Sequence, residues 1–349
     1  MLAVGLVGLG SDWESQQRPA LNRLRHRLRV RGIYTAVASR ADPVAEEFEC
    51  VPCASLRMMA ERSDLHALLV FDPGWKSDLP AQMAGQAGKA AFYLPAASLT
   101  SGAVQRLADL ATQANVTLTP GLTWRYLPAT LRLRELLATQ LSKPHQIEMR
   151  LRPLSDLNAN DRARMTARPI EALDWCHFIA GTPCIDQRWD IEQQSDRGES
   201  DPLRSQHRPI QPDAPAPAAE GISPPDAEFW QRTFCFRAPA SGGPAPVVKI
   251  MAPPAVWQVP HTICAVESLS LQTVHGRARL LAADQIAWSC GAEAEQQESL
   301  SEERSPIELL LDHFSRRVVG GLVSLPTFDD LAQAWRIWNT CELPGAVDS

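Results

Sequence analysis

The chain has 349 residues, 45% of them hydrophobic, and a formal net charge of −6. This length exceeds what one hydrophobic core usually supports, so two domains are expected. The negative charge argues against nucleic acid as the main partner. The sequence shows neither a signal peptide nor an apolar run that could span a bilayer, so we expect a cytoplasmic protein without membrane contacts.

The first recognisable pattern is a short apolar strand at residues 4–10 that runs into a glycine turn. Residues 11–29 contain no glycine, and Leu21, Leu24 and Leu28 recur there at helical spacing. The sequence therefore predicts a strand, a turn and a helix in that order.

The turn contains Gly8 and Gly10, the Gly-x-Gly arrangement that opens many dinucleotide-binding folds. Gly8 would permit the tight turn, and Gly10 would let the backbone approach a pyrophosphate. Amide groups of Ser11 and Asp12, at the start of the helix, would then face the phosphates. Trp13 stands where the third glycine of the fingerprint is expected. The alternative is a simple strand–helix turn that binds nothing.

Strands and helices alternate up to about residue 122, which predicts a parallel, doubly wound sheet in an α/β fold. Further strands are predicted at residues 30–39, 67–71, 90–94 and 116–119, and helices at 43–48, 79–87 and 104–114. We expect a dinucleotide-binding domain at residues 1–122 and a second domain at 123–349.

The second part of the chain has a different pattern. Helices are predicted at 126–141, 170–179, 306–319 and 328–340, and strands at 147–152, 247–251, 264–271 and 277–281. Residues 201–225 are rich in Pro, Ala, Ser and Gln, so we expect a mobile surface loop there. The predicted strands carry few charges, and an exposed apolar face of this kind indicates a buried interface, such as that of a homodimer.

Four segments, taken in order, resemble the glucose–fructose oxidoreductase / inositol dehydrogenase / MocA family. They are Ala87-Gly88-Lys89, Arg125-Tyr126-Leu127-Pro128-Ala129, the stretch from Ile170 and Asp174 to Gly181-Thr182-Pro183, and the stretch from Phe314 to Trp338 around Pro326 and Asp330. The resemblance implies a Rossmann domain, a second domain with an open, mostly antiparallel sheet, an NAD or NADP cofactor, and dimer formation through that sheet. It also implies that the helices at 306–340 pack back on the first domain.

The chain departs from this family at the positions that carry its chemistry. The strand end Phe92-Tyr93-Leu94-Pro95 lacks the family's lysine, and Glu171 stands where the catalytic histidine is expected. No acidic residue follows the second strand to hold the adenosine ribose. Ser39 and Arg40 lie there instead, and an arginine can pair with a 2′-phosphate, which favours NADP.

Glu171, Asp174 and Tyr93 are the candidate catalytic residues. Glu171 and Asp174 are three positions apart on one predicted helix and share a face, so one can act as acid and the other as base if burial raises a pKa. A solvated or capping pair is the alternative. Tyr93 can replace the lysine as a phenolic proton donor, and a tyrosine buried at a strand end is the alternative.

The remaining candidates surround the expected cofactor. Asp72 and Pro73 follow the third main strand, in a loop where cofactors of such folds lie. Arg125 and Tyr126 are candidate substrate-binding residues, with packing at a helix start as the alternative. We expect no metal site, because the adjacent Cys176 and His177 cannot easily point the same way from a helix.

These observations leave two functions open. The first is an NAD(P)-binding oxidoreductase that removes hydride from a hydroxyl carbon of a sugar or polyol-like substrate. The second is a catalytically inactive homologue that binds a nucleotide or a protein partner. Because the usual lysine and histidine are missing, we expect no turnover of common sugars and inositols.

Overall fold

The computed structural model describes residues 1–154, 165–192, 229–238, 243–300 and 304–339. The loop predicted at residues 201–225 lies outside the described residues. The strands that are described belong to two sheets, one parallel and one mixed. The α/β fold class inferred from the sequence is confirmed.

The first sheet has six parallel strands in the order β3-β2-β1-β4-β5-β6. They are β1 (Leu2–Val7), β2 (Leu28–Tyr34), β3 (Val51–Pro52), β4 (Ala67–Val70), β5 (Ala90–Tyr93) and β6 (Leu118–Pro120). The strands β1, β4 and β5 are almost wholly buried, as expected for a parallel sheet covered on both faces. This is the doubly wound Rossmann-like sheet that the alternating pattern predicts.

Helices cover both faces of this sheet. They are α1 (Arg18–Arg23), α2 (Ala41–Phe48), α3 (Leu56–Glu61), α4 (Leu79–Gln86) and α5 (Ser101–Gln113). A π-helical turn at Trp13–Gln17 leads into α1. The first helix is shorter than the sequence predicts, because Leu28 already pairs with Leu2 as the start of β2. One core cluster contains all three leucines, Leu21, Leu24 and Leu28. Because they are spaced as on one helix face, the sequence pattern does not reveal that the helix ends before Leu28.

The second sheet is open, mixed and mostly antiparallel. Its strands are β7 (Pro144–Pro153), β8 (Thr166–Ala167), β9 (Cys184–Glu192), β10 (Phe229–Phe236), β11 (Val247–Ala252), β12 (Cys264–Thr273), β13 (Gly276–Ala282), β14 (Gln285–Cys290) and β15 (Gln296–Ser299). Their order is β15-β14-β13-β12-β7-β11-β10-β9, with β8 paired to β12, and only β7 and β11 are parallel neighbours among these pairs. The open antiparallel sheet implied by the resemblance is therefore confirmed.

The helices of the second part are α6 (Pro128–Leu136), α7 (Pro169–Ala180), α8 (Pro254–Gln258), α9 (Pro306–Val318) and α10 (Phe328–Asn339). Two of them return to the first sheet. Phe314 of α9 packs edge-on against Phe92 of β5 with ring centroids 6.0 Å apart, and Phe328 of α10 packs against Tyr93 at 6.1 Å. Among the described residues, no helix is both long and apolar enough to cross a membrane.

The outer face of the second sheet is polar rather than apolar. Along β7, side chains alternate between buried Ile147, Met149 and Leu151 and partly exposed charged residues. Those charges pair across the sheet, for example Arg152 with Glu267 at 2.9 Å and Lys249 with Glu148 at 3.6 Å. A continuous apolar exposed face is not found on these strands, because most of their apolar residues face the core, with Leu281 as an exposed exception.

Candidate functional site

The turn after β1 is shaped by Gly8. Its φ is +71°, and a Cβ there would lie 1.8 Å from the carbonyl oxygen of Asp72. The amide of Gly8 donates to the carbonyl of Tyr34 at 2.8 Å. Gly8 is therefore required by the close approach of the turns after β1 and β4, and its own amide is not available to a ligand.

The four amides that follow, from Leu9 to Asp12, donate no hydrogen bond within the described part of the chain. Ser11 and Asp12 are exposed, and the next bonded amide is that of Trp13, which donates to the carbonyl of Gly10 at 3.1 Å. A run of unpaired amides before a helical turn is a binding site for an anion such as a pyrophosphate. The unpaired amides include those of Ser11 and Asp12, the candidates for phosphate contacts, together with those of Leu9 and Gly10.

Gly10 and Trp13 support this turn from the inside. A Cβ on Gly10 would meet the side-chain nitrogen of Gln17 at 2.9 Å and the carbonyl oxygen of Phe71 at 3.2 Å. The Trp13 ring is buried and packs against Phe48 and Phe71, with ring centroids 6.2 and 6.3 Å away. Trp13 therefore fills the core where the third glycine was expected, and its ring does not face the turn.

Two cations lie at the end of β2, beside the turn. The Lys76 ammonium donates to the hydroxyl of Tyr34 at 2.7 Å, and it lies 4.9 Å from the ring centroids of both Tyr34 and Trp75. Arg40, exposed next to Ser39, donates to the carbonyl of Leu9 at 3.5 Å. The end of β2 thus carries positive charge from two separate segments.

The turn after β4 approaches the glycine turn directly. Pro73 is buried, while Asp72 is exposed and accepts a hydrogen bond from the amide of Gly74 at 2.8 Å. In an open α/β sheet, ligands bind in the crevice beyond the carboxyl ends of such strands. Asp72 and Pro73 therefore lie at the place that the sequence predicts for cofactor contacts.

Beyond the end of β5, Arg168 and Glu171 form an ion pair at the start of α7. Arg168 Nη1 donates to the carbonyl of Pro95 at 3.0 Å and to Glu171 Oε1 at 3.1 Å. Glu171 Oε2 accepts from the amide of Arg168 at 3.2 Å. Each carboxylate oxygen keeps a free lone pair, so Glu171 can still accept a hydrogen bond from a ligand.

The position of Tyr93 is less suited to chemistry. Its side chain is fully buried in β5, and its hydroxyl donates to the carbonyl of Ser77 at 3.2 Å. Burial raises the pKa of Tyr93, so the phenol stays protonated. This geometry matches the alternative of a tyrosine buried at a strand end.

Arg125 and Asp174 bind each other. Arg125 Nε and Nη2 donate to the two oxygens of Asp174 at 2.9 and 2.5 Å, and Asp330 lies 3.5 Å from Nη1. Burial raises the pKa of Asp174, and Arg125 opposes that shift. Glu171 and Asp174 do not act together here, because only Glu171 reaches the end of β5.

Tyr126 lies apart from Arg125 and Asp174, and it packs against α9. Its ring centroid is 5.5 Å from that of His313, and burial raises the pKa of its hydroxyl. The residue is half-buried within the core cluster of the first sheet. This contact corresponds to packing at a helix start, the alternative left open by the sequence.

Sequence analysis missed two residues at this site. Arg168 precedes Pro169 and Glu171, and its position before a helix with Pro at the first turn was a usable signal. His261 is 7% exposed, and its Nε2 lies 2.7 Å from the carbonyl of Leu99. No local pattern marks His261, because its partner is 162 positions away in the sequence.

Comparisons with known proteins identify the fold. No protein-family model and no curated protein matches the chain. Among solved structures, UDP-N-acetylglucosamine 3-dehydrogenase from Acidithiobacillus ferrooxidans is 14% identical, with a TM-score of 0.67 over 97% of this chain and 95% of that one. An oxidoreductase from Thermotoga maritima is 12% identical, with a TM-score of 0.68 and the same coverage.

A levoglucosan dehydrogenase, solved with NADH and levoglucosan, is 14% identical with a TM-score of 0.67, again over 97% of this chain and 95% of that one. These neighbours are oxidoreductases of the glucose–fructose oxidoreductase / inositol dehydrogenase / MocA type. At such low identity the likeness concerns the fold. The chain therefore has the two-sheet fold of these oxidoreductases, as its four sequence segments indicated.

Proposed function

We propose that the protein is an NAD(P)-dependent dehydrogenase that acts on a hydroxyl carbon of a sugar or polyol-like small molecule. The observation that carries the proposal is the placement of Glu171, with Arg168 beside it, beyond the end of β5. The end of β5 lies two strands from β1, whose turn carries the unpaired amides, a span of about 10 Å across the sheet. The names of the neighbours support the proposal, since two are sugar dehydrogenases and one was solved with NADH.

The residues present fit a dinucleotide. The amides of Leu9 to Asp12 would bind its pyrophosphate, because they have no hydrogen-bond acceptor among the described residues. Asp72 and Pro73 would border the nicotinamide half. When bound, the dinucleotide supplies the hydride acceptor.

Glu171 is the proton acceptor in this proposal. Loss of hydride from an alcohol carbon requires a base for the hydroxyl proton, and Glu171 supplies one next to a fixed guanidinium. Asp174 and Tyr93 do not compete for this role, because each is buried and hydrogen-bonded within the protein. The alternative of an inactive homologue gains no support from this arrangement.

We further propose NADP as the preferred cofactor. The support is electrostatic, since Arg40 and Lys76 bring positive charge to the end of β2, where the adenosine ribose would lie. Both cations can form charge-assisted hydrogen bonds to a 2′-phosphate. Ser39, exposed next to Arg40, can add a hydroxyl donor.

Three further proposals come from the sequence. They are a domain boundary near residue 122, a homodimer that uses the second sheet, and a cytoplasmic location. The polar outer face of that sheet means that a dimer interface there would rest on ion pairs as well as apolar contacts. Light scattering at micromolar concentration tests the homodimer, and a monomeric mass would contradict it.

The proposed function is tested by titrating the protein with NADPH and NADH and following the fluorescence of the nicotinamide. Saturable binding of at least one is expected. If neither dinucleotide binds, the proposal is wrong.

A further inference from the structure

The guanidinium of Arg168 has one nitrogen bonded to the protein and one edge without a hydrogen-bond partner among the described residues. Its Nη1 uses both hydrogens, one on the carbonyl of Pro95 and one on Glu171. Its Nε is buried and has no hydrogen-bond partner among the described residues. Its Nη2 likewise meets no described acceptor, although a quarter of the side chain, 27%, is exposed.

The Nε–Nη2 edge of Arg168 thus includes a buried donor without a described partner. A buried N–H without a partner is costly, so protein structures seldom leave one unexplained. The two N–H groups on this edge are parallel and match two oxygens of a carboxylate or phosphate. Because Pro95 and Glu171 hold the opposite nitrogen, the edge is fixed in direction before any ligand arrives.

We infer that the Nε–Nη2 edge of Arg168 binds an oxyanion of the substrate, either a carboxylate or a phosphate with two free oxygens. The inference rests on the proposed function and specifies its substrate class as acidic hydroxy compounds rather than neutral sugars. Arg168 would hold the anionic group while the substrate's hydroxyl faces Glu171.

The other groups near this edge agree with the inference. His261, Glu171 and Arg168 interact electrostatically, and burial lowers the pKa of His261, so the imidazole is neutral at pH 7. Its Nε2 contacts a carbonyl and therefore carries the proton, which leaves Nδ1 as an acceptor without a described partner. Besides Glu171, no described carboxylate pairs with Arg168 and would compete with an anionic ligand.

The test uses three ligands that share one ring. D-Glucuronate, D-glucose 6-phosphate and D-glucose are titrated calorimetrically into the protein, with and without NADPH. We expect at least one of the two anions to bind about 10- to 100-fold more tightly than glucose, because a charge-assisted pair replaces a neutral contact. The stronger of the two anions identifies carboxylate or phosphate as the recognised group.

Three variants connect this preference to Arg168. In Arg168→Gln the tighter binding of the anion relative to glucose should vanish. In Arg168→Lys part of it should remain, because lysine keeps the positive charge but lacks the two parallel N–H donors of the guanidinium. Arg57→Gln, at an exposed pair with Glu61, is the control and should change nothing. Thermal unfolding of each variant verifies that it is folded.

Equal binding of anions and glucose by the wild type would overturn the inference, as would an anion preference that survives in Arg168→Gln. Failure of the proposed function looks different. In that case neither NADPH nor NADH binds, while the anion titrations without dinucleotide still report on Arg168.

Discussion

Arg125 and Asp174 form a buried, bidentate ion pair that joins the segment after β6 to helix α7. Arg125 is 8% exposed and Asp174 is 1% exposed, so neither charge is solvated by water. The pair holds α7 in place, and α7 begins with the Arg168–Glu171 pair of the proposed active site. We therefore propose that Arg125 and Asp174 position that helix.

This role predicts a large loss of stability in Asp174→Asn. Removing the carboxylate leaves the buried Arg125 guanidinium with only Asp330, at 3.5 Å, and breaking a buried pair in this way costs about 3–5 kcal/mol. Chemical denaturation measures the free energy of unfolding. Glu61→Gln, which breaks an exposed pair with Arg57, is the control and should cost about 0–1 kcal/mol. A loss of less than about 1 kcal/mol in Asp174→Asn would contradict the positioning role, given the cost expected for a buried pair.

Lys76→Met should narrow the difference in affinity between NADPH and NADH. The reason is that Lys76 places an ammonium at the end of β2, where a 2′-phosphate would lie. The wild type is expected to bind NADPH more tightly, by about 10-fold or more for one charge-assisted contact. Lys143→Met, at an exposed lysine, serves as the matched control. Tighter NADH binding by the wild type would refute the NADP preference.

Gly10→Val should abolish dinucleotide binding. The new side chain would collide with Gln17 and with the carbonyl of Phe71, so the turn that presents the free amides must move. Fluorescence titration with NADPH gives the affinity. Gly102→Ala in α5 is the control, because its Cβ would meet only the end of the Arg106 side chain at 3.6 Å. Unchanged affinity in Gly10→Val would show that the turn does not bind the cofactor.

Stability should fall as the pH drops below about 6.5, the usual pKa of histidine. Burial lowers the pKa of His261 in the folded protein. The unfolded chain therefore binds a proton at a pH where the folded protein does not, and acid favours unfolding. The contribution of His261 to stability is fully present above its pKa in the unfolded chain. It is lost as the pH falls toward its lower pKa in the folded protein.

His261→Gln should reduce that slope by up to about 1.4 kcal/mol per pH unit. Glutamine keeps a donor for the carbonyl of Leu99 but does not titrate. Denaturant unfolding at a series of pH values gives the slopes, with the exposed His26→Gln as control. Parallel slopes for wild type and His261→Gln would contradict the assignment.

Much of the fold could be predicted from local patterns in the sequence. The turn at Gly8 needs φ > 0, and Gly88 has φ +68° beside Lys89, whose ammonium donates to the carbonyls of Arg62 and Leu65 at 2.7 Å. The positive φ of these two residues is a local requirement, so it leaves a trace in the sequence as a glycine. The end of the first helix left no such trace, because Leu28 suited a helix face and a strand equally well.

The candidate site could be predicted only in part. Glu171 was found because it substitutes for a family residue within a recognisable segment. Arg168 and Lys76 were not assigned, since their partners Pro95 and Tyr34 are 73 and 42 positions away. Contacts of this kind depend on how β4, β5 and α7 are arranged in space, and no periodicity in the sequence encodes that arrangement.

The central claim, that Glu171 accepts the substrate proton in an NAD(P)-dependent dehydrogenation, is tested most directly by comparing wild type with Glu171→Gln. Both are assayed for reduction of NADP and NAD with a panel of sugars, polyols and sugar acids, and Glu61→Gln is the control. The account predicts turnover by the wild type on an acidic member of the panel. It also predicts a kcat reduced about 10²- to 10⁴-fold in Glu171→Gln, with unchanged affinity for NADPH. The claim would be contradicted if Glu171→Gln had the same kcat as the wild type. It would also be contradicted if the wild type turned over no member of the panel.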